Sequence, residues 1–196
     1  MQTSTKLITA AATPIITTDN AKLHLKVSGS SEDTYIDSLV EVATQMIEQY
    51  TGRALITQTW EQVYDTLPYK QDYVELHKGP VQSITSFKYY LNDTQSTFDS
   101  AKYNLDDAAI FPRVYLDDDE TWPSLDVRKN AVVIRFVAGY GDAATDVPEP
   151  LIQAARLLVG FMYQNREDRI GRSPFKTAAL PQAVSYLCQP YRLWQF

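Results

Sequence analysis

The chain has 196 residues, 44% hydrophobic and 21% charged, with a formal net charge of −6, which fits one globular unit or one unit carrying an insertion. Seven glycines, ten prolines and no apolar run near the ~18 residues of a membrane helix exclude collagen-like, long disordered and helical membrane-spanning chains. One cysteine, Cys188, and two distant histidines, His24 and His77, exclude a disulfide scaffold and give no zinc-finger spacing.

Residues 1–17 read as an extended arm. Its threonine-broken apolar stretch at 7–12, ahead of Pro14, does not match a signal peptide, so a cytoplasmic origin is expected. Thr18 or Asp19 is positioned to cap a short helix through Val27. Ser31 is a second candidate cap, for a long helix on which Ile36, Leu39, Val40, Ala43, Met46, Ile47 and Tyr50 recur at three- and four-residue steps. Gly52 supplies the left-handed residue that ends it. The opposite face carries Asp37, Glu41 and Glu48, with no Lys or Arg between Ser31 and Tyr50.

From Ala54 the period becomes two, which predicts a strand through Tyr64. Further strands are expected at 72–77, 81–91, 100–105, 113–116 and 131–138, separated by turns at Asn92-Asp93 and Lys78-Gly79-Pro80, so the middle of the chain is a mainly antiparallel sheet. Helix returns after the Pro148 and Pro150 region and runs to about Glu167, apolar around most of its circumference. Such a helix must be enclosed, within its own unit or between subunits. Residues 169–179 read as a linker, and a short helix from Pro181 leads to an apolar terminus. The expected class is α+β: a helical core with long N-terminal and C-terminal helices, a central antiparallel β-rich insertion and an extended C-terminal tail. The corresponding segments are 1–53, 54–145, 146–168 and 169–196. Residues 1–150 hold 12 Lys+Arg and 22 Asp+Glu, whereas 151–196 hold 6 and 2, so the body is acidic and the tail basic.

The local signatures of nucleotide, metal and serine-hydrolase chemistry are missing, and no catalytic set, cofactor site or metal site assembles. Two other readings stay open. One is a metal-assisted enzyme around Asp117, Asp119 and His77, since oxygen-rich loops hold divalent cations. The other is a binding module whose Tyr89, Tyr90, Tyr103 and Trp122 share an exposed face.

Several segments in order resemble the tailed-phage head-tail connector, or head-completion, proteins, which also occur in prophages and gene transfer agents. They are EQYTGRALITQTW at 48–60, LHKGPVQSI at 76–84, VVIRFVAGYG at 132–141, VPEPL at 147–151 and YQNRE at 163–167, then Leu180-Pro181, Leu187 and Pro190-Tyr191-Arg192. The resemblance spans about 17–192. It implies a non-enzymatic virion part at the head-tail interface, or neck: a twelve-fold ring beneath the portal, extending a channel that DNA crosses without sequence-specific binding, and receiving stopper or tail-completion proteins. On this reading a portal-docking set is expected from Arg169, Arg172, Lys176, Leu180, Pro181, Val184, Leu187, Pro190, Tyr191, Arg192 and Trp194. Asp37, Glu41 and Glu48 are expected to face the channel, and Leu151, Ala155, Leu158 and Met162 to contact neighbouring subunits. No membrane or cofactor is implied.

Overall fold

A computed structural model describes residues 3–68, 72–166 and 180–193. Among the described residues, four α-helices and eight strands make an α+β protein, divided into two compact units. Residues 12–56 and the part after 140 form a helical unit, whereas 1–11 and 57–140 form a β unit.

In the helical unit, α1 (Thr18–Leu25) is capped by Thr17, whose hydroxyl accepts the Asn20 N–H at 3.2 Å, and it closes on Lys26 in the left-handed region. The cap is therefore one residue earlier, and the end two residues earlier, than the sequence suggested. Helix α2 (Asp33–Thr51) starts without a side-chain cap, so Ser31 does not serve that role. It ends at Gly52, where φ is 74° and an added Cβ would come within 3.3 Å of Leu193, a double reason for glycine. Helix α3 (Glu149–Gln164) has Pro150 in its first turn, where an N–H has no intrahelical partner to lose. Helix α4 (Gln182–Cys188) packs on α3. Ile36, Ala43, Ile47, Leu151, Ala154, Ala155, Leu158 and Val159 are almost wholly buried and make the core. Ala54, Leu55 and Ile56, expected as the start of a strand, are buried in this unit instead, with a bridge from Ile56 to Gly141. At Gly141 a Cβ would lie 2.2 Å from the Asp146 carboxylate, which accepts the Ala143 N–H and shapes the approach to α3.

The β unit contains two antiparallel sheets. One has five strands in the order β1 (Thr3–Thr9), β2 (Gln58–Tyr64), β8 (Val132–Ala138), β4 (Val81–Leu91), β5 (Thr94–Thr97). The other orders β3 (Tyr73–Glu75), β7 (Arg113–Leu116), β6 (Tyr103–Asp106). The N-terminal arm is thus an edge strand. Residues 100–102 form a 3-10 turn rather than strand. Asn92 and Asp93, both at positive φ, make the two-residue β4–β5 turn, and both their N–H groups donate to the Asp126 carboxylate at 2.8 Å.

The inward face of β2 is polar. Gln62 is fully buried: its amide donates to the Tyr64 hydroxyl at 2.6 Å and the Glu75 carbonyl at 3.1 Å, and its carbonyl accepts the His77 N–H at 2.8 Å. Tyr64 donates to the same Glu75 carbonyl at 2.5 Å. This network joins the two sheets and leaves no member orphaned, as a buried polar cluster requires.

Candidate functional site

The C-terminal segment is not a free tail over residues 180–193. Val184 and Cys188 are fully buried and Leu193 nearly so, because the helix from Pro181 turns that side toward α3. The Leu193 N–H donates to the Thr51 carbonyl at 2.7 Å, and the Arg53 guanidinium donates to the Tyr191 carbonyl at 2.6 Å. The Arg192 guanidinium lies 4.9 Å from the Tyr50 ring centre. These contacts tie the segment to the end of α2. The expectation that Val184 docks on a partner is therefore corrected: its surface is already spent inside the subunit. Burial also pushes the Cys188 thiol up to about 11.

What the segment leaves outward is Gln182, Ala183, Tyr186, Gln189 and Pro190, with Leu180, Pro181, Leu187, Tyr191 and Arg192 half-buried. Tyr186 is 63% exposed and was not singled out in the sequence. It lies two residues from both Val184 and Cys188, which puts it on the side of α4 opposite the inner face that their burial defines. Arg169, Arg172, Lys176 and Trp194 lie outside the described residues.

Glu32 accepts hydrogen bonds from the Tyr163 hydroxyl and from Arg166, the latter at 2.5 Å. The Tyr163 hydrogen bond, then Arg166, holds the Glu32 carboxyl below its ordinary range. Arg166 also covers Tyr35 and Tyr163, at 4.7 and 4.8 Å from the ring centres.

The acidic stripe divides. Asp37 and Glu41 are exposed, and accept from the Thr18 hydroxyl at 2.5 Å and the Gln45 amide at 3.2 Å. Glu48 is half-buried and accepts the Leu55 N–H at 2.8 Å, closing the turn that follows α2. Its carboxylate thus has a structural task. Leu151, Ala155 and Leu158 are buried inside the subunit and are not available to a neighbour, a second correction; Met162 is half-buried. The apolar side chains left exposed on these helices include Leu23, Val42, Met46 and Phe161.

Among the described residues no group of three His, Cys, Asp or Glu is placed to hold a metal ion. Asp117 instead accepts from the Asn104 amide at 3.3 Å, and Glu120 pairs with Lys102 at 2.9 Å. His77 is half-buried, with Nδ1 3.4 Å from the Thr3 hydroxyl; burial lowers its pKa against the opposing pull of Glu75. The four aromatics do not form an open platform. Tyr103 and Trp122 pack on the buried Phe87, with ring centres 5.6 and 5.8 Å away, Tyr89 meets Phe98 edge-on, and Arg128 covers Tyr90 at 3.8 Å. The exposed aromatic face of the binding-module reading is absent from these residues, because the rings fill a small core of their own.

A helical unit interrupted by a β unit is an architecture this chain shares with neck proteins of gene-transfer-agent particles. A chain from the neck of an empty particle, determined with C6 symmetry, matches with a TM-score of 0.78 and 23% identity, over 98% of this chain and 97% of that one. A chain of the native gene transfer agent virion matches with a TM-score of 0.78 and 23% identity, over 98% and 96%. One from the native neck with C12 symmetry gives 0.69 and 23%, over 97% of both chains. No curated protein matches the sequence. The chain belongs to the head completion protein family, whose model matches residues 14–193.

Proposed function

We propose that the protein is a structural head-tail connector of a tailed phage or a related particle, located at the neck. The observation that carries this reading is the family match over 14–193, with the shared fold extending over nearly the whole chain. Copies form a ring, a reading supported by the C6 and C12 symmetry of the necks that hold its structural neighbours. The ring lies beneath the portal, extends the DNA channel, and receives a stopper or tail-completion protein. Its work is assembly rather than catalysis, and no cofactor takes part.

The portal is met by the outward side of the C-terminal segment: Tyr186 and Pro190, flanked by Leu180, Pro181, Leu187, Tyr191 and Arg192, with the cations Arg169, Arg172 and Lys176 and with Trp194. Asp37 and Glu41 face the channel, where carboxylates repel phosphates and let DNA slide. Leu23 and Phe161 are better suited than the buried α3 residues to meet a neighbouring copy, being exposed and apolar.

Co-sedimentation with the portal ring of the same genome tests the reading. The full chain is expected to bind saturably, near one copy per portal subunit, and Tyr186→Asp to weaken binding at least tenfold without unfolding. A full chain that does not bind the portal overturns it. Truncation is a poor substitute, since removing residues 180–193 strips Val184 and Cys188 from the core.

A further inference from the structure

The two outer sides of the β unit carry opposite charge. On the five-stranded sheet, Gln62, Tyr64, Phe87, Ile134 and Phe136 are buried on one face, and the residues alternating with them make the other face, of which no member is fully buried. Strand register sets Lys6, Glu61, Arg135 and Ser86 in one row of that outer face, and Ser4, Val63, Val133, Lys88 and Thr97 in the next. Arg135 donates to Glu61 at 2.8 Å, so the carboxylate of these rows is neutralised. Lys6 and Lys88 have no carboxylate within ion-pair distance among the described residues. Arg128, exposed and 3.8 Å from the centre of the outward Tyr90 ring, adds a cation on the same side. The outer face is therefore basic, on a chain whose net charge is −6.

The three-stranded sheet lies on the inner side of the large one, where Gln62 and Tyr64 reach the Glu75 carbonyl and Tyr103 packs on Phe87. Val74 and Val114 bury one face of the small sheet, so Tyr73, Tyr115 and Asn104, a row of its other face, point away from the large sheet. The Asn104 amide donates to Asp117 at 3.3 Å, which sets the carboxylates that follow β7 beside Tyr115. Asp117, Asp118 and Asp119 are exposed, and none is paired with a cation among the described residues. Tyr115 itself is 40% exposed. One side of the unit thus presents lysines around valines, and the other presents aspartates around a tyrosine.

We propose that neighbouring copies meet through these two sides: the basic outer face of one copy's large sheet docks on the Tyr115, Asp117 and Asp118 side of the next copy. The proposal rests on the ring reading above and adds to it the surfaces on which the β units touch. Charge selects the partner, since each side repels its own kind and attracts the other. A cyclic ring of more than two subunits requires a contact of this type, made by two different surfaces of every copy. Val63 and Val133 offer an apolar strip to the Tyr115 ring, while Lys6 and Lys88 on the flanks reach the aspartates. The Arg135 and Glu61 pair at the centre brings no net charge.

Sedimentation velocity of the full chain at low salt tests the contact, with Lys6→Glu plus Lys88→Glu, Asp117→Lys plus Asp118→Lys, and all four substitutions combined. The wild type is expected to associate beyond the dimer at concentrations up to about a millimolar. Salt at about 1 M, which shortens the screening length to about 3 Å, is expected to weaken association at least tenfold. Each double variant is expected to lose at least tenfold, and the combined variant, in which both sides have exchanged sign, to recover most of that loss, a pattern that a folding defect does not produce. A wild type that stays monomeric, association that stops at a dimer, or association that ignores the charge reversals overturns the proposal, as does a combined variant without recovery. Retention of duplex DNA that the lysine reversals abolish while association persists also overturns it, because the basic face then serves a polyanion. Association that follows these charges in a chain that does not bind the portal contradicts the connector reading alone.

Discussion

The two units reach stability by different means. The helical unit has an aliphatic interior, with Ile36, Ile47, Leu151 and Leu158 at its centre, and hydrogen-bonding side chains work mainly at its chain ends: Glu48 on the Leu55 N–H, Arg53 on the Tyr191 carbonyl. The β unit places a glutamine and a tyrosine inside, with every partner matched across two sheets. An aliphatic core tolerates a change of shape and fails by cavity. A buried polar network fails by an orphaned group even where volume is kept.

The largest expected effect lies in the helical unit. Leu158→Ala should cost about 2–5 kcal/mol in urea-unfolding experiments, and Leu158→Met less than about 1.5 kcal/mol. In the β unit, Gln62→Leu keeps similar bulk yet strands the His77 N–H, so a loss of about 1–3 kcal/mol is expected. A neutral Gln62→Leu variant would erase the distinction between the units. Next come the clasps. Asp126→Ala removes the acceptor for the Asn92 and Asp93 N–H groups, and Glu48→Ala removes that for Leu55; each should cost about 1 kcal/mol, measured the same way.

The smallest effect is in pH. Burial holds His77 neutral below its ordinary range, so the unfolded chain takes up that proton first as pH falls. The contribution is complete above about pH 6.5 and is lost below it, until the folded-state imidazole also protonates. Thermal melts of the wild type should therefore decline with acidification more than those of His77→Gln over that interval. Parallel curves would remove His77 as the source.

Much of the helical unit was legible because its signals are local. The spacing of Ile36, Leu39, Val40, Ala43 and Ile47, the stop at Gly52 and the proline entry to α3 each rest on neighbours in sequence. The strands were also legible in part, but their partition into two sheets was not, since pairing depends on residues far apart. On β2 both alternating faces mix polar and apolar residues, so periodicity could not say that Gln58, Gln62 and Tyr64 point inward. Ala54 and Leu55 kept the strand period while packing as helical core. For the candidate site, the acidic stripe treated Glu48 like Asp37 and Glu41, and only its contact with Leu55 separates them. The docking list likewise mixed the inner and outer faces of α4, because no local signal says which side of an apolar helix meets its own subunit.

The central claim is that copies of this chain form one ring at the neck. Counting them in purified particles, by mass spectrometry against isotope-labelled standards, tests it most directly. A ring with the symmetry of the neighbouring structures predicts a small fixed number per particle, a multiple of six, equal in particles with and without DNA. Absence from the particle, or a copy number that scales with tail length, would contradict it.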